Sequence, residues 1–313
     1  VDPRTASAER LSHFWSLGLN RISFGVQDFD AEVQQAVHRI QPYEQVELLM
    51  TAARRLGYQS INVDLIYGLP KQRPDNFART IEQVIGLAPD RIALYGYAHL
   101  PERFKPQRRI VSSELPDGAA RLSMLGHAIG AFGAAGYDYI GMDHFAKPDD
   151  PLAIAKRQGK LHRNFQGYTT QPECDMLGLG VSAIGRVGSV YAQNAKTIEG
   201  YENMVGQGRF ATVRGLQLSA DDLMRRSMIM DIMCRGRLDF AKVKAEFGVD
   251  VPTAFAAELA RLEPLAAHGL VKVGPGAVEV TPVGWYVVRA VAMAFDRYLA
   301  EAAATRASFS KIV

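Results

Sequence analysis

Segments typical of strands and of helices alternate through the first half of the chain, and this order constrains the fold more than any other feature. Runs of apolar, β-branched or aromatic residues predict strands, and they lie at 21–26, 61–66, 91–97 and 137–142. Apolar residues at helical spacing predict helices at 31–37, 42–56, 75–85 and 117–135. Strands separated by helices favour a parallel sheet with right-handed crossovers, either doubly wound or curled toward a barrel.

Polar residues lie at or just after the end of each predicted strand. They are Gln27, Asp28, Asp64, His99, Asp143 and His144. In barrels and open α/β sheets, ligands bind at the rim where the strands end. An aspartate buried unpaired in an apolar strand costs on the order of several kcal/mol, so Asp64 needs a ribose, an ammonium group or a cation such as Arg39. His144 has no second ligand at fixed spacing, so we expect a hydrogen-bonded loop histidine there rather than a metal site.

The segment 97–110 combines aromatic residues, prolines and cations directly after a predicted strand. Its four cations are Arg103, Lys105, Arg108 and Arg109. Guanidinium and ammonium groups held at the end of a strand suggest a ligand with carboxylates or phosphates. A solvated basic loop is the alternative interpretation.

Two further segments carry weaker signals. The segment 161–168 mixes polar and aromatic residues and suits a flat apolar ligand with charged edges, or a packed surface loop. The glycines at 178, 180, 185 and 188 allow the backbone to approach a ligand or another segment closely. Cys174 and Cys234 have no nearby Cys or His at ligand spacing, so we expect buried thiols.

From residue 219 the pattern changes to helices at 220–233, 240–247 and 254–267, followed by a hairpin around the Gly-Pro-Gly turn at 274–276. This order resembles a winged helix, a shape that often binds DNA. The candidate recognition helix carries Glu258, Arg261 and Glu263 instead of a basic face. We therefore predict two domains, 1–218 and 219–313, and no nucleic-acid partner.

The bulk composition excludes few classes of protein. With 313 residues, 48% apolar residues and a net charge of +3, the chain has the profile of a globular protein without strong affinity for polyanions. No apolar run is long enough to span a bilayer, so the expected location is the cytoplasm, without a membrane partner. The chain starts with Val1 in a segment that reads as a turn entering a helix, and we expect a further part of the protein upstream.

Six segments in this order resemble the oxygen-independent coproporphyrinogen III oxidases, radical S-adenosylmethionine enzymes of haem synthesis. They lie at 25–29, 64–70, 97–110, 141–145, 163–168 and 178–185. The resemblance covers almost the whole chain, and the segments 97–110 and 141–145 distinguish these oxidases from haem chaperone-like relatives. It implies a partial (β/α) barrel, here without its first strands, and a helical C-terminal domain.

The resemblance also implies cofactors and site residues. Gln27, Arg39, Asp64 and Ala98 would contact a second S-adenosylmethionine, and Ile184 would contact the one bound to a four-iron, four-sulfur cluster. The CxxxCxxC motif that holds this cluster does not occur, since the sequence has two cysteines far apart. We expect the cluster ligands upstream of Val1 and the chain by itself to be inactive.

The implied reaction is the oxidative decarboxylation of two propionates of coproporphyrinogen III, giving the vinyl groups of protoporphyrinogen IX. A 5′-deoxyadenosyl radical would abstract a β-hydrogen from each propionate. The partners expected are this substrate, an electron donor for the cluster and an electron acceptor, and we expect a monomer. We predict that Arg103, Lys105, Arg108 or Arg109 engages the propionates. The alternative is a relative that binds haem without oxidase activity.

Overall fold

The computed structural model describes residues 1–164, 167–172 and 174–299. They form two compact units, one of which is Val1–Ile154, while the other begins at Ala155. The boundary predicted between 218 and 219 lies inside the second unit, where Ser219 is the N-cap of a helix, and it stays a prediction.

The first unit alternates strands and helices in the predicted order. Its elements are α1 (Ala8–Ser16), β1 (Arg21–Gln27), α2 (Ala31–Ala36), α3 (Tyr43–Leu56), β2 (Ser60–Tyr67), α4 (Pro74–Leu87), β3 (Arg91–Gly96), 3₁₀ turns at Lys105–Arg109 and Ser112–Glu114, α5 (Gly118–Ala134), β4 (Asp138–Gly141), β5 (His144–Ala146) and the start of α6 (Pro151–Arg157), whose last residues belong to the second unit. β1 pairs parallel with β2, and β2 pairs parallel with β3. The parallel arrangement of these three strands is therefore confirmed.

The two faces of the parallel strands differ in polarity. Phe24, Val63 and Leu65 are fully buried and belong to one core with Val46 of α3 and Phe77 of α4. Residues at the intervening positions point to the opposite face, because successive side chains of a strand alternate. That second face carries half-buried polar side chains, and it is where the predicted site residues of β1 and β2 lie.

The fourth predicted strand does not extend the parallel sheet. The strand order is β1-β2-β3-β5-β4, and β5 pairs antiparallel with both β3 and β4. The reason is local: Gly141, Met142 and Asp143 all have positive φ, which reverses the chain in a tight turn. Asp143 and His144 therefore belong to a hairpin instead of a βα loop.

The second unit contains two antiparallel sheets and a helical module, as well as the hairpin of β6 and β7. Its elements are β6 (His162–Asn164), β7 (Gly167–Thr169), β8 (Ile184–Val187), β9 (Val190–Asn194), α7 (Ile198–Gly206), β10 (Thr212–Gln217), α8 (Ala220–Arg235), β11 (Arg237–Asp239), α9 (Phe240–Phe247), α10 (Val251–Ala254), α11 (Ala256–Ala260), α12 (Glu263–Ala267), β12 (Val271–Val273), β13 (Ala277–Val280), a 3₁₀ turn (Gly284–Val287) and α13 (Val288–Met293). No helix of the described residues is long and apolar enough to cross a membrane.

The helical module has the order of a winged helix, with β11 joining the predicted hairpin in a sheet of order β11-β13-β12. The single helix predicted at 254–267 is wrong, because the chain from 251 to 267 forms three short helices. Phe255 leaves helical geometry between α10 and α11. Pro264 lacks the backbone N–H that would donate to the Ala260 carbonyl, so α11 does not continue into α12.

Candidate functional site

A polar cluster lies on the half-buried face of β1 and β2. Ser23 donates its hydroxyl to Asp64 Oδ2 at 2.7 Å, and Asn62 donates its amide to Asp64 Oδ1 at 2.8 Å. Burial raises the pKa of Asp64, and these two hydrogen bonds oppose that rise. Of the partners considered for Asp64, Arg39 is not its ion-pair partner, since Arg39 pairs with Asp2 at 3.2 Å. The carboxylate of Asp64 is thus held by two neutral donors.

Gln27 and Arg39 approach Gly25, the residue of β1 that pairs with Asp64 of β2. A Cβ atom on Gly25 would meet Gln27 Nε2 at 2.8 Å and Arg39 Nη2 at 3.1 Å. Arg39 Nη2 also donates to the carbonyl oxygen of Gly25 at 2.7 Å. The absence of a side chain at Gly25 therefore allows an amide and a guanidinium to reach the sheet beside an aspartate.

Gln27 has a strained backbone. Its φ is 67°, and the N–H of Asp28 donates to the carbonyl of Val26 at 2.8 Å, so Gln27 is the central residue of a three-residue turn. A non-glycine residue in this region costs about 1–3 kcal/mol, and such residues cluster at ligand sites. The β1–β2 register also shifts between Gly25 and Gln27. The residue types around Gln27 do not indicate this turn.

One hydrogen-bond donor of Arg39 has no acceptor among the described residues. Its Nε atom is buried and has no hydrogen-bond partner among the described residues. Burial lowers the pKa of Arg39, and the Asp2 carboxylate acts in the opposite direction. A buried donor without an acceptor is unfavourable, so a ligand oxygen near this guanidinium would relieve that cost.

Asp28, predicted as a rim residue, is buried inside the fold. It accepts hydrogen bonds from the Asp30 N–H at 2.6 Å, from Thr80 at 2.9 Å and from the Gln72 amide. Burial raises the pKa of Asp28 to about 6. Gln72 also donates to the Ile66 carbonyl, so these bonds join the loops that follow β1 and β2. Asp28 therefore stabilises the site without lining it.

The loop after β3 is braced by its own side chains. Gln107 donates to the Ala98 carbonyl at 3.0 Å and accepts from the Leu100 N–H at 2.6 Å. His99 contacts the hydroxyls of Tyr97 and Ser112 at 3.2 and 3.1 Å. These contacts fix the backbone at Ala98, the position that the family resemblance assigns to S-adenosylmethionine.

All four cations of this loop are exposed. They are Arg103, Lys105, Arg108 and Arg109. Arg108 donates to the Pro101 carbonyl at 3.1 Å, and none of the four forms an ion pair with another described residue. Their charges are thus available to an anionic ligand, as the sequence suggests.

Sequence reasoning missed Arg121, which reaches the ends of β2 and β3 from α5. Its Nη2 donates to the Tyr97 carbonyl at 3.1 Å, and its guanidinium lies 6.0 Å from the Tyr67 ring centroid. A Cβ on Gly68 would come within 2.9 Å of Arg121 Nε. The available signal was its position as the lone arginine in a mostly apolar helix.

His144 is hydrogen-bonded, as expected, but it begins β5 instead of lying in a loop. Its Nδ1 contacts the Met142 carbonyl at 2.7 Å, and its ring meets Tyr95 edge-on at 5.9 Å. Among the described residues, no group of three His, Cys, Asp or Glu side chains is placed to hold a metal.

Ile184 lies in the second unit, at the start of β8. A Cβ on Gly178 would come within 2.7 Å of the Ile184 carbonyl oxygen, and one on Gly185 within 2.6 Å of the Met176 carbonyl oxygen. Close packing of two backbone segments therefore explains these two glycines. Ile184 is held by this packing and by its pairing with Gln193 in β9.

The two cysteines differ in environment. Cys234 is buried, as predicted, and burial raises the pKa of its thiol to about 11. The prediction is wrong for Cys174, which is exposed because it follows β7 in a segment outside the regular elements. Phe165 and Gln166 of the predicted 161–168 cluster lie outside the described residues.

The described residues fit one of the two implied cofactors. Gln27, Arg39 and Asp64 present an amide, a cation and an anion, which suit the carboxylate, ammonium and ribose of S-adenosylmethionine. They do not fit an iron–sulfur cluster, since Cys174 and Cys234 are the chain's two cysteines and no metal-holding group is found among the described residues.

Two family models match the chain and define its class. The radical SAM superfamily model matches residues 2–84, and the HemN C-terminal domain model matches residues 218–287. The first match includes β1, β2 and the polar cluster between them. The fold is thus that of a radical S-adenosylmethionine protein, a class that implies a four-iron, four-sulfur cluster and S-adenosylmethionine.

Similarity to individual proteins narrows this class. The chain is 48% identical over 313 residues to the oxygen-independent coproporphyrinogen III oxidase of Pseudomonas aeruginosa, covering 68% of that protein. It is 43% identical over 314 residues to the protein of the same name from Thermostichus vulcanus, covering 96% of it. The solved coproporphyrinogen III oxidase (HemN) of Escherichia coli superposes with a TM-score of 0.89 at 46% identity, over 95% of this chain and 69% of that one.

The chain belongs to the family of oxygen-independent coproporphyrinogen III oxidases. The predicted family and fold class, a partial (β/α) barrel of radical SAM type with a helical C-terminal part, are confirmed.

Proposed function

We propose that this protein takes part in the oxygen-independent decarboxylation of coproporphyrinogen III to protoporphyrinogen IX. Each reacting propionate loses one β-hydrogen atom, one electron and carbon dioxide, and becomes a vinyl group. Family membership supports the reaction class. The observation that carries the proposal is the grouping of Gln27, Arg39 and Asp64 around Gly25, since it offers complementary polar groups to an adenosyl cofactor.

We assign contacts with two S-adenosylmethionine molecules to residues of this chain. Gln27, Arg39, Asp64 and the Ala98 backbone would hold one molecule, and Ile184 would contact the other. Arg39 would pair with the methionine carboxylate and place an acceptor near its buried Nε. Asp64 would accept from a ribose hydroxyl or the ammonium group. When bound, S-adenosylmethionine supplies the hydrogen-abstracting radical.

Other groups complete the enzyme from outside this chain. We propose that upstream cysteines hold the cluster, that an electron donor reduces it, and that an acceptor takes the electron released by each decarboxylation. We further propose a cytoplasmic monomer with a domain boundary between 218 and 219. A nucleic-acid role is disfavoured because Glu258 is paired with Arg225 at 3.0 Å and its side chain is 12% exposed.

The exposed cations of the 97–110 loop are proposed to bind substrate carboxylates. Joint replacement of Arg103, Lys105, Arg108 and Arg109 by glutamine should weaken substrate affinity in the reconstituted full-length enzyme. Arg55→Gln, an exposed arginine of α3, is the matched control. Unchanged affinity in the quadruple variant would remove this loop from the substrate site.

An anaerobic turnover assay tests the proposed reaction. The longer coding product, loaded with cluster and S-adenosylmethionine, should convert coproporphyrinogen III to protoporphyrinogen IX, with release of two carbon dioxide molecules per substrate. Tight haem binding without any such conversion would favour the chaperone-like alternative. The 313-residue chain, assayed in parallel, should show no conversion.

A further inference from the structure

Ser23, Asn62 and Asp64 form a closed set of hydrogen bonds on the polar face of β1 and β2, called here the Asp64 network. Ser23 is in register with Asn62, and all three side chains are half-buried. The Asn62 amide donates to Ser23 Oγ at 2.9 Å and to Asp64 Oδ1 at 2.8 Å. The Ser23 hydroxyl donates to Asp64 Oδ2 at 2.7 Å, which closes the network.

The direction of every proton in the Asp64 network is fixed. An amide nitrogen carries two protons, and both of those on Asn62 are used, one for each partner. The Ser23 oxygen accepts one of them, so its own hydroxyl proton points to Asp64. Each oxygen of Asp64 thus accepts one hydrogen bond from the network. A carboxylate accepts at about four positions, so each oxygen keeps about one further position for another donor.

This arrangement favours the ionised form of Asp64 over the neutral acid. A protonated carboxyl group has to donate its proton, whereas the network offers Asp64 donors at both oxygens. Protonation at Oδ2 would turn the Ser23 hydroxyl away, and protonation at Oδ1 would oppose the Asn62 amide. Hydrogen bonds to a charged form favour that form. Burial raises the pKa of Asp64, and the bonds from Ser23 and Asn62 act against that rise.

Charged and titratable groups also lie around this face of the sheet. They include the Val1 ammonium, Asp2, Arg21, Arg39, Arg91, Tyr95, Asp150 and His144. Arg39 and Arg91 pair with aspartates at 3.2 and 2.9 Å, and His144 Nδ1 contacts a backbone carbonyl at 2.7 Å. The Val1 ammonium favours ionised Asp64. It is the same in each variant compared below, so it does not affect the differences between them.

We infer that Ser23 and Asn62 are positioning residues, which hold Asp64 as an oriented carboxylate with one accepting position on each oxygen free for a ligand. The ligand group that meets Asp64 is then a donor, an ammonium or a hydroxyl group. Neither Ser23 nor Asn62 has to touch the ligand for this role. The inference rests on the proposed function, because Asp64 is assigned there to S-adenosylmethionine.

Carbon-13 NMR titration of the aspartate carboxyl groups in the 313-residue chain tests the network without any ligand. The Asp64 signal is identified as the one that Asp64→Asn removes. Ser23→Ala and Asn62→Leu each remove a donor and should raise the pKa of Asp64. Ser23→Thr keeps the hydroxyl and should titrate as the unsubstituted chain does. Ser113→Ala, from an exposed serine outside the network, is the matched control and should also leave the titration unchanged.

Equilibrium dialysis with labelled S-adenosylmethionine at several pH values tests the role in binding. Affinity should fall as the pH is lowered through the pKa of Asp64, because the neutral acid is a poorer acceptor. The fall should begin at a higher pH in Ser23→Ala and in Asn62→Leu, and Asp64→Asn should lack it. At neutral pH each of these two network variants should weaken binding about twofold to tenfold, the value of one hydrogen bond.

Three results would overturn the inference. The first is an Asp64 titration that neither Ser23→Ala nor Asn62→Leu changes. The second is a raised pKa in these variants with unchanged affinity for S-adenosylmethionine at every pH. The third is an equal loss of affinity in Ser23→Thr and Ser23→Ala, which would mean that the site needs the size of serine and not its hydroxyl. If Asn62→Leu does not fold, Ser23→Ala and Ser23→Thr decide the matter.

The inference and the proposed function fail separately. Binding of S-adenosylmethionine that Asp64→Asn abolishes, but that Ser23→Ala and Asn62→Leu leave intact, would overturn the inference and leave the function standing. The predicted changes in titration and affinity, together with absent turnover of coproporphyrinogen III in the loaded full-length enzyme, would overturn the function and leave the positioning role standing.

Discussion

Replacement of Gly25 by alanine should separate cofactor binding from stability. The new Cβ would lie 2.8 Å from Gln27 Nε2 and 3.1 Å from Arg39 Nη2. The Gln27 amide would have to withdraw by about 0.6 Å to restore ordinary van der Waals contact, and Arg39 by about half as much. Both groups are ends of flexible side chains, so they can move without disturbing the sheet.

The expected change in the free energy of unfolding is small. Alanine is favoured over glycine in a strand by about 0.5–1 kcal/mol, and a weaker Arg39 bond to the Gly25 carbonyl offsets this gain. The affinity for S-adenosylmethionine should change more than the stability, because the Gln27 amide and the Arg39 guanidinium both shift. Loss of one charge-assisted hydrogen bond, worth about 1.5–3 kcal/mol, lowers affinity about tenfold to a hundredfold.

Equilibrium dialysis with labelled S-adenosylmethionine, alongside thermal melting, measures both quantities. Gly185→Ala is the contrasting variant, because its Cβ would lie 2.6 Å from a backbone oxygen, that of Met176. It should lower the melting temperature, whereas Gly25→Ala should not. If Gly25→Ala bound S-adenosylmethionine as the unsubstituted chain does, Gln27 and Arg39 would not hold the cofactor.

Two further predictions concern stability. The folded-state pKa of Asp28, about 6, exceeds the ordinary value of 3.8. The contribution of Asp28 to the free energy of unfolding is therefore full below about pH 3.8, and about 3 kcal/mol of it is lost as the pH rises through about 6. The free energy of unfolding, measured with urea between about pH 4 and pH 8, should decrease in this way for the unsubstituted chain and not for Asp28→Asn. An equal pH dependence in both would refute the raised pKa of Asp28. Arg225→Met should cost about 3 kcal/mol by leaving the Glu258 carboxylate, whose side chain is 12% exposed, unpaired, whereas Lys244→Met, from an exposed pair with Asp250, should stay within about 0.5 kcal/mol. Equal urea midpoints for these two variants would contradict the stabilising role of the Arg225–Glu258 pair.

The sequence predicted the parallel part of the fold well because its signals are local. The helix α3 spans Tyr43–Leu56 and ends at Gly57, whose φ of 89° only glycine adopts freely. The direction of β5 was not predictable in the same way. It depends on a tight turn at Met142 and Asp143, two non-glycine residues with positive φ that nothing in their residue types requires.

The candidate site was predictable by residue but not by arrangement. Polar residues at strand ends and family resemblance both pointed to Asp64, while its partners Ser23 and Asn62 follow only from the β1–β2 register.

The turn at Gln27 determines which sequence changes this site can tolerate during evolution. Gln27 reaches Gly25 only because Val26 separates them and places both on one face. Loss of a single residue here would turn the amide toward the helices and bring an apolar side chain to the polar face of the sheet. Homologues should therefore vary in residue type between positions 25 and 28 more readily than in length.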